Sequence, residues 1–219
     1  MNKSKISKET IGKYLREISV VVIGVAITLS AGYWITNRNE KRDMALYLNT
    51  IKLELEENEK IFNETKERRQ SSVKYSNYLR SHNKKSLNTD TIKAYSYSYY
   101  DVSPITVKTN AFDMFKTSGN MRLVDDKDLL LSIWDAYSVL VEASDGFNML
   151  MQAKFEDLQK ESQLFSLFDI ASLSSEEILK NVPMYNFHAH TSAPNVQVQQ
   201  CERALMKIRE TRLKLEEMK

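Results

Sequence analysis

The chain lacks most of the residues that build sites or interrupt helices. Of its 219 residues one is cysteine, Cys201, which excludes an intramolecular disulfide and any zinc site made from several thiolates. Five glycines and three prolines are too few to punctuate a sheet protein, while Lys, Glu, Leu, Met, Gln and Ala are plentiful. Charge of one sign is also missing: 31 Lys and Arg stand against 29 Asp and Glu. The net charge of +2 makes no field that would draw in nucleic acid, so nucleic acid is not expected as a partner. No serine lies in a G-x-S-x-G turn, and no glycine-rich phosphate loop is present. These absences leave the expectation of an all-α protein that is not an enzyme and carries no cofactor.

One long hydrophobic run is present. Residues 18–36 read ISVVVIGVAITLSAGYWIT without a charge. At ~1.5 Å per residue this about matches a ~30 Å hydrocarbon core. Tyr33 and Trp34 at one end, and Tyr14 and Arg16 at the other, suit the membrane interfaces. A transmembrane helix is the simplest reading. Two others stand beside it, a buried core helix and a signal peptide cleaved near Ser30, Ala31 and Gly32. Lys3, Lys5, Lys8, Lys13 and Arg16 before the run slightly outweigh Arg38, Lys41, Arg42 and Lys52 after it. The bias places residues 1–17 in the cytoplasm and residues 37–219 outside, in the periplasm of a two-membrane bacterium, with the span in the inner membrane. Within the run Gly24, Thr28 and Gly32 recur every four residues and define a candidate transmembrane packing face, suited to a homodimer.

Beyond the run neither Gly nor Pro occurs before Pro104, and Met44, Leu48, Ile51, Leu55 and Phe62 share one helix face. The spacing predicts that the membrane helix continues as a stiff stalk to about Arg80, followed by a loop at SHNKKSLNTD. A short helix from near Asp90 then ends before Pro104, although Tyr95, Tyr97 and Tyr99 alternate as a strand would. Those tyrosines are a candidate aromatic surface, with packing under a loop as the alternative. Thr109 to Ser118 reads as a helix closed by Gly119, and Asp125 or Asp126 caps the next. In that helix Leu130, Ile133, Trp134, Tyr137, Val141, Met151, Phe155 and Leu158 form the expected buried stripe. It should run to about Phe168 and bend at Gly146. Ser174 and Glu177 have the form of a capping box. The last helix starts beyond Pro194 with Val198, Cys201, Leu205, Ile208 and Leu215 at heptad-like spacing, which puts Cys201 on the buried face. A single N-terminal transmembrane helix continuing into a three- to four-helix bundle follows.

KYLREISVVVIGVAITLSAGYWITNRNEKRD followed by YLNTIKLELEEN, and later FKTSGNMRLVDDKDLLLSIWDAY, resemble a bacterial family of membrane-anchored helical proteins of unknown function. Its members carry a VVIG-type span, a charged exit, a long helix and a Ser-Gly turn. The chain departs from that pattern at SAGYWIT, where a more polar exit is expected. The resemblance implies an architecture and no activity.

The remaining chemistry-bearing residues are weak candidates. His188 and His190 lack a neighbouring third ligand unless His82 joins them, and Asp125, Asp126 and Asp128 lack the alternation a calcium loop needs. The expected role is therefore interaction or assembly within the bacterial envelope, with the lipid bilayer and a second copy or an envelope protein as partners. A sensory or ligand-binding module is the alternative.

Overall fold

The computed structural model describes residues 8–82, 86–162 and 195–217. Within them the chain is all helical, as expected. Helix α1 spans Lys8–Ser81, α2 Thr89–Tyr100, α3 Asn110–Thr117, α4 Lys127–Ser162 and α5 Asn195–Glu217, with a 3₁₀ turn at Asn120–Leu123.

α1 ends one residue past the position read from its sequence, and α2 begins where Asn88 accepts hydrogen bonds from the amides of Asp90 (2.9 Å) and Thr91 (3.1 Å). From there the chain runs back down α1. Tyr95 meets Tyr75 at 5.6 Å between ring centroids, Asp101 meets Arg69, the backbone of Lys108 meets Asn58, and that of Ala111 meets Glu54. Phe115 then reaches Tyr47, and Arg122 lies 3.8 Å from Glu40. Residues 89–123 thus form a single returning arm, helical at its ends and extended over 101–109. α4 rises again beside it, and α5 descends, pairing Glu202 with Lys66, Arg212 with Glu56, and Glu216 with Lys52 of α1. The result is an up-down-up-down bundle whose second member is the broken arm.

The turn between arm and α4 follows its residues closely. Gly119 takes φ 73°, a left-handed conformation that a residue without Cβ adopts cheaply, and Asp126 accepts from the amides of Asp128 and Leu129, both at 2.9 Å. Four helical segments can then bury one core, made of Leu48, Ile51, Leu55 and Phe62 from α1, Phe112 and Phe115 from α3, Leu129, Ile133, Leu140 and Phe147 from α4, and Cys201, Leu205 and Ile208 from α5. A smaller cluster of Tyr75, Leu79 and Ile92 closes the far end.

One expectation needs correction in part. α4 buries Ile133, Tyr137 and Met151 of the stripe read from its sequence, but Trp134, Val141 and Phe155 are 47%, 39% and 41% exposed, and Leu129, Ala136, Leu140, Ala143 and Phe147 face inward as well. The apolar residues of α4 wrap around more of its circumference than its neighbours cover. The helix runs unbroken through Gly146. A Cβ there would lie 3.0 Å from the Gln200 amide, so this glycine permits α4 and α5 to approach. As the shared face of Met44, Leu48, Ile51, Leu55 and Phe62 predicts, the bundle packs against α1, starting at Met44 and Tyr47. The capping box at Ser174 and Glu177, and the end of α4 expected near Phe168, lie outside the described residues.

Candidate functional site

The apolar run is the first candidate. From Ile18 to Ile35 of α1 every large hydrophobic side chain is more than half exposed; Val21 is 64% and Ile27 64%. The core-helix reading therefore fails among the described residues, and the helix is long and apolar enough to cross a membrane. Two of its hydroxyls are satisfied internally. The Thr28 hydroxyl donates to the Gly24 carbonyl at 2.9 Å, and the Ser19 hydroxyl to that of Leu15 at 2.7 Å, which spares both from facing hydrocarbon alone. Gly24, Thr28 and Gly32 share one face, and a Cβ built on either glycine would meet nothing within 4 Å. The face is open. Just past it the Arg38 guanidinium lies 5.6 Å from the centre of the Trp34 ring, a cation over an aromatic at the expected interface.

Inside the bundle, α1 presents a second and unexpected set of groups. Every third or fourth residue from Leu48 to Leu79 is buried, and the series includes Asn58, Thr65, Arg69, Ser72 and Ser76. Asn58 and Arg69 lie opposite the extended part of the arm, whose backbone has no helix to satisfy it, while the Thr65 and Ser72 hydroxyls donate to carbonyls of α1 itself. Asn58 acts as a backbone surrogate, accepting from the Lys108 amide at 2.9 Å and donating to the Lys108 carbonyl at 2.8 Å. Asn148 of α4 does the same to Ile105, at 2.8 and 2.9 Å, and Ser144 adds a second bond to that carbonyl.

Higher up, Arg69 and Lys154 converge on Asp101. The Arg69 guanidinium pairs with the Asp101 carboxylate, and Lys154 donates to the Asp101 carbonyl at 3.0 Å. Arg69 is wholly buried, Lys154 is 3% exposed and Asp101 5%. Burial, and then the neighbouring Arg69 charge, lower the Lys154 pKa to about 7. The guanidinium also lies 5.5 Å from the Phe147 ring centre and 3.6 Å from the Met151 sulfur.

The other buried anion is Glu54, which accepts from Tyr137 Oη (2.7 Å) and from the Ala111 and Phe112 amides (2.8 and 3.4 Å). It satisfies the start of α3 from a different helix, a task its nearest residues do not perform. Burial and the Glu54 hydrogen bond push the Tyr137 phenol far up, so it stays a proton donor. Cys201 is buried, and burial pushes its thiol up to about 11. That is the setting of a small core residue with no activating base.

The weaker candidates separate plainly. His82 stacks near Tyr78, with 4.4 Å between ring centres, and His188 and His190 lie outside the described residues. Among the described residues no group of three or more His, Cys, Asp or Glu is placed to hold a metal ion. Asp126 caps α4, and Tyr95 packs on Tyr75; the side chains of Tyr97 and Tyr99 lie outside the description. The surface of the described residues includes two grooves. One of about 560 Å³ is lined by Phe112, Lys116, Trp134, Tyr137, Val141 and Asp145 among others. The second, of about 240 Å³, lies between Met44, Leu48 and Lys52 of α1 and Leu215 of α5.

Sequence reasoning missed Glu54, Asn58, Arg69, Asp101, Asn148 and Lys154. The signal available was phase: Asn58, Thr65 and Arg69 continue the 3-4 spacing of the apolar stripe, where a solvated face would have put them elsewhere. Compared with known proteins, the chain matches no family model, no curated protein and no solved structure. The resemblance at the two patches quoted above rests on those residues alone.

Proposed function

We propose that this chain is a membrane-anchored helical assembly protein, in which α1 crosses the inner membrane once and the bundle holds or positions another envelope component. One observation carries this reading. A single unbroken helix offers an uncovered apolar segment at one end and forms the spine of a packed bundle at the other. An apolar helix exposed on all faces is costly in water and at home in lipid. The charge bias around the span supports a cytoplasmic N-terminal side and a periplasmic bundle. The open face of Gly24, Thr28 and Gly32 supports a homodimer. Catalysis is not part of the proposal: the buried ionisable groups Arg69, Asp101 and Glu54 hold the returning arm in place.

Extraction from native membranes in mild detergent, followed by mass determination of everything that co-purifies, tests the role. A stoichiometric second protein supports assembly. A clean monomer or homodimer turns attention to the alternative, a ligand-binding sensory module, which draws its support from the groove beside Trp134. Ligands that raise the melting temperature by binding only the folded state would then favour that alternative.

A further inference from the structure

The returning arm descends so far along α1 that its tip reaches the level at which the helix would leave the bilayer. Arg122, in the 3₁₀ turn, lies 3.8 Å from Glu40, and Glu40 is four residues beyond Thr36, the last residue of the apolar run. A helix rises ~1.5 Å per residue, so that contact sits about 6 Å above the hydrocarbon edge. The polar headgroup layer on each side is itself about 5–7 Å thick.

We infer that the turn at Asn120–Leu123, with the start of the soluble part of α1, is a docking surface for anionic phospholipid headgroups. The inference rests on the membrane-anchor reading and adds the partner of the bundle's floor. Charge complementarity supports it. Arg38, Lys41, Arg42 and Arg122 occupy this level against Glu40 and Asp43. The Arg122 side chain is 78% exposed and its ion pair to Glu40 is long, which leaves the guanidinium free to fork onto a lipid phosphate. Further along the chain Asp126 is turned back to cap α4, while Asp125, three residues from Arg122, is exposed. With no free stalk between span and bundle, the floor is held against the headgroups by the same helix that crosses the membrane. Its cations therefore meet lipid without a separate binding step, and fix the tilt of the bundle relative to the bilayer.

The test uses the full chain with Cys201→Ala, carrying an environment-sensitive fluorophore on one introduced cysteine, in phosphatidylglycerol-containing vesicles. Label at Asn120→Cys is read against His82→Cys at the far end of α1, with a nitroxide quencher on the lipid headgroup. Label at Val25→Cys is read with the nitroxide on the acyl chain. Quenching at position 120 several-fold above that at 82 is expected, since some 40 helical residues, about 60 Å, separate the two levels on α1. Replacing the anionic lipid with phosphatidylcholine should reduce quenching at 120 about twofold or more. Equal quenching at 120 and 82, with the Val25 label quenched by the acyl-chain nitroxide, overturns the docking surface and leaves the anchor standing. Quenching at 120 that ignores lipid charge overturns the cationic contact. An unquenched Val25 label removes the anchor, and the docking surface with it.

Discussion

The two halves of α1 invert the usual relation between polarity and burial. Over 18–36 valines, isoleucines and leucines stand exposed on every side, whereas over 48–79 an arginine, an asparagine, a threonine and two serines are buried. The same backbone carries both. What differs is the neighbour: nothing described covers the lower half, and the upper half faces an extended strand of polypeptide whose amides and carbonyls need partners. Polarity on a helix face thus reports the chemistry of what lies opposite, and burial alone does not follow from it.

The largest expected effects come from exchanging those environments. Ile23→Arg together with Ile27→Arg should cost about 2.5–3.5 kcal/mol each if the lower half sits in hydrocarbon, enough to abolish retention in alkaline-washed membranes. In water both positions are exposed, and the pair would change nothing; unaltered retention would therefore remove the membrane from the comparison. In the upper half, Asp101→Ala removes the carboxylate that pairs with the buried Arg69 and keeps the carbonyl to which Lys154 donates. Removing one partner of a buried pair costs about 3–5 kcal/mol, readable as the urea midpoint of the bundle in detergent. A midpoint unmoved by that change would mean that solvent reaches the cluster.

How much of this contrast the sequence discloses depends on how local its causes are. The end of α1, the left-handed Gly119, the Asp126 cap and the buried Cys201 were legible because each depends on residues within one or two turns. The apolar run was legible for the same reason. The polar spine was not, because the partners of Asn58 and Arg69 lie 50 and 32 residues away, across a fold that spacing does not reveal. Trp134 shows the opposite failure: it fits the helical period of α4 but faces outward, its ring set edge-on to Phe112 at 5.6 Å. Periodicity gives the apolar arc of a helix, and only the neighbours decide which part of the arc is covered.

A pH titration sharpens the same comparison with a smaller effect. The Lys154 pKa falls from 10.5 to about 7 on folding, so between those values the unfolded chain binds more protons than the folded one. Stability should then rise with pH from about 7 upward, with a slope of at most about 1.4 kcal/mol per unit. Below pH 7 both states are protonated and this contribution is flat. Measurement is best confined below pH 9.5, because the raised Tyr137 pKa acts in the opposite direction once phenols in the unfolded chain ionise near 10. Lys154→Met should flatten the slope; an unchanged slope would assign it to another group. At the acid end, burial alone would raise the Glu59 pKa, but hydrogen bonds from Arg209 and Arg212 outweigh it and hold the group below 4.5. That part of the α1–α5 clamp therefore weakens only as pH falls through the lowered value.

The smallest expected effect on stability belongs to the open face of the span. A Cβ added at Gly24 or Gly32 meets no atom within 4 Å, so Gly24→Leu with Gly32→Leu should leave the urea midpoint of the bundle where it was. The same leucines would hold two spans apart if this face packs against a second copy, because close approach of helix backbones requires small side chains. Energy transfer between donor- and acceptor-labelled copies in vesicles separates the possibilities. A drop in transfer with an unmoved midpoint makes the face an interface between copies; transfer that survives the leucines assigns any association to the bundle, and leaves the lower half of α1 as an anchor alone.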